Sequence, residues 1–573
     1  MPFPRRRAAC PVLFFLLCLL CLPAICLGLT KEQAFEVEKM IFSMPIEDKV
    51  GQIFMTFFPG RTYAGELKAL VEDYRVGGLI LYSICGNTGT PRQVVELTNA
   101  VKAGALAAKR IPPLIAVDQE GGRVARLTEG FTRFPGAMAL AATNDPALAG
   151  RAARDTAEEL AAVGVHLDFA PVADVNVNPA NPVIGTRSFG SDPAAVSRFV
   201  TAQVAGYREG GVFSCAKHFP GHGDTSVDSH HDLPVVTSSA EDIAATAWPP
   251  FQAAMKAGVP MLMTAHIEVP AIDKGRPATM SDRLLIGMVR ALWGYEGIIV
   301  TDSLLMGAIR ERMDPGQAAV NAFLAGADIL LFGADLTAGG HPEQGLAMQR
   351  TAIDYFLYRA REGTLPLERL NESLRRILRA KIEAGILEAK ALDPAAAEKI
   401  CASPAHTADA LAMARASLTA LGPGGSRNPA AGPGTLLVLP ETAAPLAQAL
   451  SSLVPGLVSL ALPLDPSPAD IARAVAAAGQ AEGLVLALSD AARHPGQLAL
   501  AAALAQFGPT QALLESPYDL RLLPPAGRTY LTYGSVPASL TALAEALAGR
   551  LNPTGRLPVT LTVSETPPTP KAD

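Results

Sequence analysis

One segment of the chain, KHFPGHGDTSVDSHHDLP (residues 217 to 234), concentrates side chains that can exchange protons. It has a Pro-Gly turn and lacks the hydrophobic periodicity of a helix or strand. Asp228 precedes His230 by two residues, so its carboxylate can accept a hydrogen bond from one ring nitrogen and make the other more basic. A histidine held in this way is suited to general acid–base catalysis, and a loop can carry it over a bound substrate.

The alternative for each of these histidines is an ordinary surface position on a loop. We assign His222 and His231 to that class, and we interpret Pro220, Gly221 and Gly223 as turn formers.

Polar residues also follow five consecutive predicted strands. Asp302, with its neighbours Thr301 and Ser303, lies between the apolar runs GIIV and LLM. A carboxylate in such apolar surroundings is expected to face a cavity. The alternative for any single strand-end aspartate is a helix cap or a structural ion pair. The strand ends carry these groups: Asp118 to Arg123, Asp168 and Asp174, Lys217 and His218, Thr264 to His266, and Thr301 to Ser303.

Eight short apolar runs, from GQIFMTFF at Gly51 to ADILLFG at Ala327, alternate with helical segments. Continuous apolar character is typical of parallel strands that are covered on both faces. The pattern predicts a (β/α)8 TIM-type barrel over residues 29–390, with the strand-end polar groups on its active face. An open doubly wound sheet is the alternative.

The remainder of the chain predicts a second, smaller unit. Residues 391–434 contain a helix and the Gly/Pro-rich linker GPGGSRNPAAGPG. Residues 435–565 alternate again between helices and predicted strands, among them TLLVLP, EGLVLALS and RLPVTLT, and predict an α/β sandwich domain. Residues 566–573 are predicted to be disordered.

Residues 1–28 combine three arginines, an apolar stretch and a small-residue end, the layout of an export signal peptide. We therefore expect an exported protein that is periplasmic, envelope-associated or secreted. A retained membrane anchor and lipid attachment at Cys26 are the alternatives. Removal of the signal leaves Cys85, Cys215 and Cys401, which do not form a disulfide framework.

The net charge of −6, without a basic run beyond the N-terminus, argues against nucleic acid as a partner. A metal-dependent barrel hydrolase using His218, His266 and strand-end aspartates is a further alternative. Against it, no His-x-His leaves the first strand, and Lys217 would place a cation beside the metal. We predict no metal and no other cofactor.

The motifs KHFPGHGDTSVDSH, AVDQEGGRVARL, GTRSF and VTDSLLM together resemble the β-N-acetylhexosaminidases of glycoside hydrolase family 3. ESPYDL and LNPTGRLPV are similar to that family's C-terminal α/β sandwich. The resemblance implies that Asp302 is the nucleophile, His230 the general acid/base and Asp228 its orienting partner. The predicted substrate-binding residues, of which His266 is proposed from its strand-end position, are Asp118, Arg126, Arg187, Lys217, His218 and His266.

The implied activity is that of a retaining exo-β-N-acetylglucosaminidase acting on peptidoglycan-type or chitin-type oligosaccharides. Phosphorolysis is an alternative, because a neutral histidine base repels phosphate less than a carboxylate would. A β-glucosidase of the same family is another. For the second domain, a non-catalytic role in carbohydrate binding or as a scaffold is the leading interpretation. Export departs from the cytoplasmic location of most described members of this branch.

Overall fold

The computed structural model describes residues 30–334, 342–388, 390–422 and 430–561 of the 573-residue chain. The predicted export signal, the predicted disordered tail and most of the GPGGSRNPAAGPG stretch lie outside these residues. Within the described ranges, no helix is both long enough and apolar enough to cross a bilayer.

Eight parallel strands form a closed ring. They pair in the order β7-β6-β5-β4-β3-β2-β1-β8, and a parallel bridge between Val300 and Ile329 joins β7 to β8. This closure confirms the predicted (β/α)8 barrel and excludes the open doubly wound sheet. The strands are β1 Phe54–Phe57, β2 Gly78–Leu81, β3 Leu114–Val117, β4 Leu167–Asp168, β5 Phe213–Phe219, β6 Met261–Thr264, β7 Ile298–Thr301 and β8 Leu330–Phe332.

Helices cover the outside of the ring, and every residue of β1, β2, β3, β6 and β7 is buried. Several helices begin with an Asp-Pro pair in which the aspartate side chain accepts a backbone N–H, as at Asp145, Asp192 and Asp314. The helices of this region are α1 Lys31–Ser43, α2 Ile46–Gln52, α3 Gly65–Glu72, α4 Pro91–Ala107, α5 Ala137–Ala142, α6 Pro146–Ala162, α7 Pro193–Glu209, α8 Ala240–Thr246, α9 Pro249–Lys256, α10 Arg283–Leu292, α11 Gly307–Arg310, α12 Pro315–Ala325, α13 Pro342–Arg361 and α14 Leu367–Glu383.

A second sheet has the strand order β9-β14-β13-β12-β10-β11, in which only β9 is antiparallel to its neighbour. Its strands are β9 Thr419–Leu421, β10 Thr435–Pro440, β11 Val458–Leu462, β12 Gly483–Leu488, β13 Thr510–Leu513 and β14 Arg528–Leu531. The accompanying helices are α15 Pro394–Ile400, α16 Pro404–Ser417, α17 Ala444–Leu453, α18 Pro468–Ala478, α19 Pro495–Leu504 and α20 Pro537–Leu547.

The sequence did not anticipate two features of this unit. Residues 391–434, predicted to hold one helix and a linker, contain two helices, α15 and α16, and the edge strand β9. The stretch RLPVTLT, expected to be a strand, forms none as far as residue 561. It runs along the barrel instead: Arg556 N–H donates to the Ala142 carbonyl at 2.8 Å, and Thr560 N–H donates to Ser191 Oγ at 3.2 Å.

The two units share a buried interface. Met138 and Ala142 of α5 belong to the same apolar cluster as Leu436 and Leu513 of the second sheet. Barrel residue Asn176 also donates from its side-chain amide to the hydroxyl of Tyr518 at 2.7 Å, in buried surroundings. The second domain is therefore packed and hydrogen-bonded onto the barrel, partly through the loop that follows β4.

Candidate active site

A cavity of about 250 Å³ opens at the carboxyl ends of the barrel strands. In barrels of this type, active sites are built at this end from the loops that follow the strands. Apart from His266, the predicted site residues all line it: Asp118, Arg126, Arg187, Lys217, His218, Asp228, His230 and Asp302.

Two larger cavities, of about 470 and 650 Å³, lie at the opposite end, beside residues that precede the strands, such as Pro113 and Pro260. That end of a barrel serves stability rather than chemistry. The smaller cavity is therefore the candidate active site.

Asp302 follows β7 directly, and its Oδ1 accepts the N–H of Ser303 at 2.7 Å. Burial disfavours ionisation, but His266, His218 and the Ser303 N–H outweigh it, so the pKa of the Asp302 carboxyl lies below its usual value. The side chain is thus a carboxylate at neutral pH, as a nucleophile must be.

His266 differs from the expectation of a substrate contact. Its side chain is fully buried and does not line the cavity. Nε2–H donates to the Ser303 carbonyl at 2.8 Å, and Nδ1 lies 2.8 Å from Thr279 Oγ1. Because β6 ends close to the turn that follows β7, the His266 side chain contacts the backbone next to Asp302. It therefore supports that backbone and does not reach the cavity.

His230 and Asp228 form the expected pair. His230 Nδ1 lies 2.7 Å from Asp228 Oδ1, which also accepts the His230 backbone N–H at 2.9 Å. The hydrogen bond to Asp228 outweighs burial and raises the pKa of His230, while the same contact lowers the pKa of Asp228 to about 2 against its own burial. The carboxylate therefore fixes the tautomer of the imidazole and leaves Nε2 for proton transfer.

The loop that carries this pair is anchored on both sides. His222, expected at the surface, is buried, with its ring nitrogens 2.8 Å from Thr225 Oγ1 and 3.0 Å from Ser229 Oγ. Burial lowers the pKa of His222 to about 4, so its imidazole is neutral and holds the loop through these two hydrogen bonds. On the other side, the Gly307 N–H donates to the His230 carbonyl at 3.2 Å. The loop is thereby tied to the chain just beyond Asp302.

Gly307 offers a test of this anchoring. A Cβ at this position would stand 2.6 Å from the His230 carbonyl oxygen, so Gly307→Ala must displace the His230 loop. We expect kcat to fall by about 10- to 100-fold, because small misplacements of a catalytic group are costly. The control is Gly287→Ala in α10, where the nearest atom to an added Cβ is 3.8 Å away. Equal kcat values for the two variants would contradict the proposed role of the contact.

The floor of the cavity is a network of buried charges. Lys217 Nζ lies 2.7 Å from Asp118 Oδ1 and 2.8 Å from Glu120 Oε1. Arg187 makes a two-pronged contact with Glu120, at 2.9 and 2.7 Å. Burial opposes the charges of Lys217, Arg187 and Glu120, but their mutual attraction raises the pKa of Lys217 and Arg187 and lowers that of Glu120. The network presents fixed donors and acceptors at the bottom of the cavity.

His218 completes this floor. Its Nδ1 lies 2.7 Å from Asp174 Oδ2, and its Nε2 lies 3.3 Å from Arg187 Nη2. Asp174 also accepts the N–H groups of His218 and His222, at 3.1 and 2.6 Å, and so connects the floor to the His230 loop. Despite burial, contacts with His218 lower the pKa of Asp174.

These contacts do not fit the metal-hydrolase alternative. Both ring nitrogens of His218 and of His266 are engaged with protein atoms. The cations Arg187 and Lys217 also stand where a metal ion would be repelled.

Arg126 and two residues that were not predicted complete the wall. The Arg126 guanidinium lies 5.8 Å from the Tyr82 ring centroid. Glu120 and Arg493 line the cavity although neither was singled out from the sequence. In the sequence, Glu120 was marked only as part of the DQEGGR motif that follows β3. Arg493 lies in the second domain, and no sequence motif indicated it.

An ionised carboxylate and a protonatable imidazole share a cavity whose floor is built from buried ion pairs. On this barrel, a nucleophilic carboxylate with an acid/base group is the combination that a retaining glycoside hydrolase needs, here with a histidine in place of the usual second carboxylate.

Comparisons with known proteins agree with this class. The sequence model of the glycosyl hydrolase family 3 N terminal domain matches residues 45–380, and the chain belongs to that family. It is similar to Beta-hexosaminidase A of Pseudoalteromonas piscicida, with 37% identity over 381 residues, which cover 62% of this chain and 61% of that protein. It is also similar to the Beta-hexosaminidase of Alkalilimnicola ehrlichii, with 39% identity over 301 residues, 52% of this chain and 82% of the relative.

Among solved structures, a glycoside hydrolase family 3 beta-N-acetylglucosaminidase from Paenibacillus sp. str. FPU-7 is similar over both units. The TM-score is 0.84 at 32% identity, covering 91% of this chain and 100% of that one. The predicted membership of the β-N-acetylhexosaminidase branch is thereby confirmed.

Proposed function

We propose that this protein is a retaining exo-β-N-acetylglucosaminidase that removes terminal β-linked N-acetylglucosamine from peptidoglycan-type or chitin-type oligosaccharides. The observation that carries the proposal is the Asp228–His230 pair on the wall of the cavity that holds Asp302. The names of the relatives, beta-hexosaminidase and beta-N-acetylglucosaminidase, support the same sugar.

In the first step, Asp302 attacks the anomeric carbon while His230 protonates the departing oxygen. The carboxylate of Asp228 stabilises the imidazolium form of His230 before transfer and keeps its donor nitrogen directed into the cavity. The carbon–oxygen bond to the leaving group breaks, and the sugar becomes covalently bound to Asp302.

In the second step, the neutral imidazole removes a proton from water, and the resulting oxygen nucleophile displaces Asp302 from the sugar. Two displacements at one carbon give net retention. His230 is thereby reprotonated and ready for the next cycle.

The floor supports exo action. Lys217, Asp118, Glu120 and Arg187 line the cavity with paired and nearly buried charges. A terminal sugar would contact this buried side through its hydroxyl groups, which favours exo action.

Product analysis tests the proposal. The purified protein is incubated with chitobiose, with a muropeptide disaccharide and with an aryl β-glucoside, each with and without phosphate. We expect release of the β-anomer of N-acetylglucosamine, seen by NMR before mutarotation, and little action on the glucoside. A sugar 1-phosphate as the main product would favour the phosphorylase, and equal action on the glucoside would favour the β-glucosidase.

The pH profile provides a separate test through Asp228→Asn. The Asp228 hydrogen bond raises the pKa of His230, so the imidazolium that protonates the leaving group persists to higher pH. As pH rises through that pKa, kcat/KM should fall; without the carboxylate, the fall should begin about one to two pH units lower. Asp224→Asn, in the same loop but exposed, is the control. An unmoved alkaline limb would contradict the role of Asp228.

We further propose that the protein works outside the cytoplasm, in the periplasm or envelope, with membrane contact only through its N-terminal signal or a lipid anchor. The arginines, apolar stretch and small residues of residues 1–28 support this location. Fractionation of cells, with mass spectrometry of the mature N-terminus, would distinguish cleavage near Gly28 from lipid attachment at Cys26. Recovery of the uncleaved chain in the cytoplasm would refute export.

A further inference from the structure

The second domain contributes directly to the wall of the active-site cavity. Arg493, a few residues beyond β12, lines the same space as Asp302 and His230. Among the described lining residues, it is the one that comes from outside the barrel. Its Nη2 donates to the carbonyl of Pro182, in the barrel loop that follows β4.

The position of Arg493 is held by its own domain. The preceding N–H groups of Ala491 and Ala492 donate to the Asp519 carboxylate at 2.8 and 3.2 Å. Asp519 belongs to the ESPYDL segment, whose Tyr518 accepts the Asn176 hydrogen bond from the barrel. The segment that carries Arg493 is therefore fixed relative to the barrel loop, so that the guanidinium is a permanent part of the wall.

Exposure separates the floor of the cavity from its rim. The side chains of Lys217 and Glu120 on the floor are 2% and 5% exposed. Those of Arg123 and Arg493 are 47% and 42% exposed. In an exo-acting enzyme the terminal sugar occupies the closed end and the leaving group projects toward the opening. Arg123 and Arg493 therefore lie on the leaving-group side.

The rim carries two guanidinium groups close to one carboxylate. Asp490 Oδ2 lies 3.2 Å from Arg123 Nη1 and 3.5 Å from Arg493 Nε, so that one carboxylate faces two guanidinium groups. The neighbouring carboxyl group of Glu515 accepts the Ser535 hydroxyl at 2.6 Å and does not line the cavity. Further donor groups of both arginines remain available to a ligand.

We propose that Arg493, together with Arg123, forms a subsite for the leaving group that selects substrates carrying a carboxylate there. The inference rests on the proposed glycosidase function and extends it from the sugar that is released to the group that departs. It also assigns the second domain a part in specificity, since the barrel alone supplies no Arg493.

Two substrates that differ only in charge test the proposal. One is a disaccharide of N-acetylglucosamine β-1,4-linked to an N-acetylhexosamine bearing an ether-linked carboxylate, and the other is its methyl ester. The same disaccharide with a peptide on that carboxylate moves the negative charge outward and distinguishes a sugar carboxylate from a peptide carboxylate as the group recognised.

We expect the native protein to favour the free acid over the ester by about tenfold in kcat/KM, the size of one charge-assisted hydrogen bond. Arg493→Ala should reduce this ratio to about one, whatever its effect on a neutral aryl N-acetyl-β-glucosaminide, and Arg493→Glu should favour the ester. The control is Arg473→Ala, an exposed arginine of the same domain that pairs with Asp470 outside the cavity.

An unchanged ratio in Arg493→Ala, or the absence of any preference in the native protein, would overturn the inference while leaving the proposed function intact. Failure of the native protein to hydrolyse the neutral aryl substrate would remove the proposed function and the inference together. A loss of equal size on the acid, the ester and the neutral aryl substrate in Arg493→Ala would instead assign the residue to general stability of the site and refute a selective role.

Discussion

Asp302→Asn is expected to lower kcat for an aryl N-acetyl-β-glucosaminide by about four orders of magnitude or more, because a neutral amide cannot form the covalent intermediate. The native carboxylate is kept ionised by neighbouring histidines and the Ser303 N–H, which together lower its pKa despite burial. The substitution conserves shape, so the thermal midpoint should change little. Stopped assays with the purified variant measure the effect.

The matched control is Asp282→Asn, where the carboxylate is exposed and pairs with Arg276. A mechanism-based label that traps the glycosyl intermediate should modify a peptide containing Asp302 in the native protein and none in the Asp302→Asn variant. Labelling of another carboxylate, or near-native turnover by the variant, would show that the nucleophile has been assigned to the wrong residue.

The second large effect is expected for His230→Ala, and its size should depend on the leaving group. Substrates with poor leaving groups, such as a disaccharide, need protonation of the departing oxygen and should lose about 10²- to 10⁴-fold in kcat/KM. An activated aryl glycoside leaves without a proton and should lose much less in this first step. Comparing both substrates separates acid catalysis from a general structural effect.

His231→Ala is the matched control, since His231 is adjacent in sequence and exposed. A loss of equal size on both substrates would mean that His230 acts through structure and not as the acid. A large loss in His231→Ala would move the catalytic role by one residue.

Much of the fold follows from pattern alone. Apolar runs such as those around Ile80 and Val300 have polar residues only at their ends, which is possible when parallel strands are covered on both faces, here by helices outside the ring and by the packed barrel interior inside it. The second sheet was equally visible in TLLVLP and EGLVLALS. The edge strand Thr419–Leu421 was not, because a three-residue strand in a Gly- and Pro-rich neighbourhood owes its conformation to pairing with β14.

The candidate site also has one part that the sequence predicts and another part that it does not. The pair Asp228–His230 is local in sequence, so its hydrogen bond was predictable. Contacts between residues of different strands were not predictable. Glu120 contacts Arg187 and Lys217 only because three strands end at the same end of the barrel. His266 was misplaced for a related reason, since a polar residue after a strand points either into the cavity or behind its wall.

The ion pairs of the buried floor also affect the energetic cost of binding substrate. Lys217, Glu120 and Arg187 hold one another before any sugar arrives. Their orientation therefore costs little when substrate binds, and donors that are already aimed stabilise developing charge without reorganisation.

Helix α5 affects how the molecule unfolds. Its residues Met138, Ala139 and Ala142 belong to the barrel region of the chain but pack into the apolar interior of the second sheet. The second sheet loses part of its apolar interior when the barrel unfolds, and the barrel exposes these three side chains when the second sheet unfolds, so heating should produce a single calorimetric peak in place of two. A shortened gene that stops after the barrel would expose this apolar face to water, and its product should be poorly soluble.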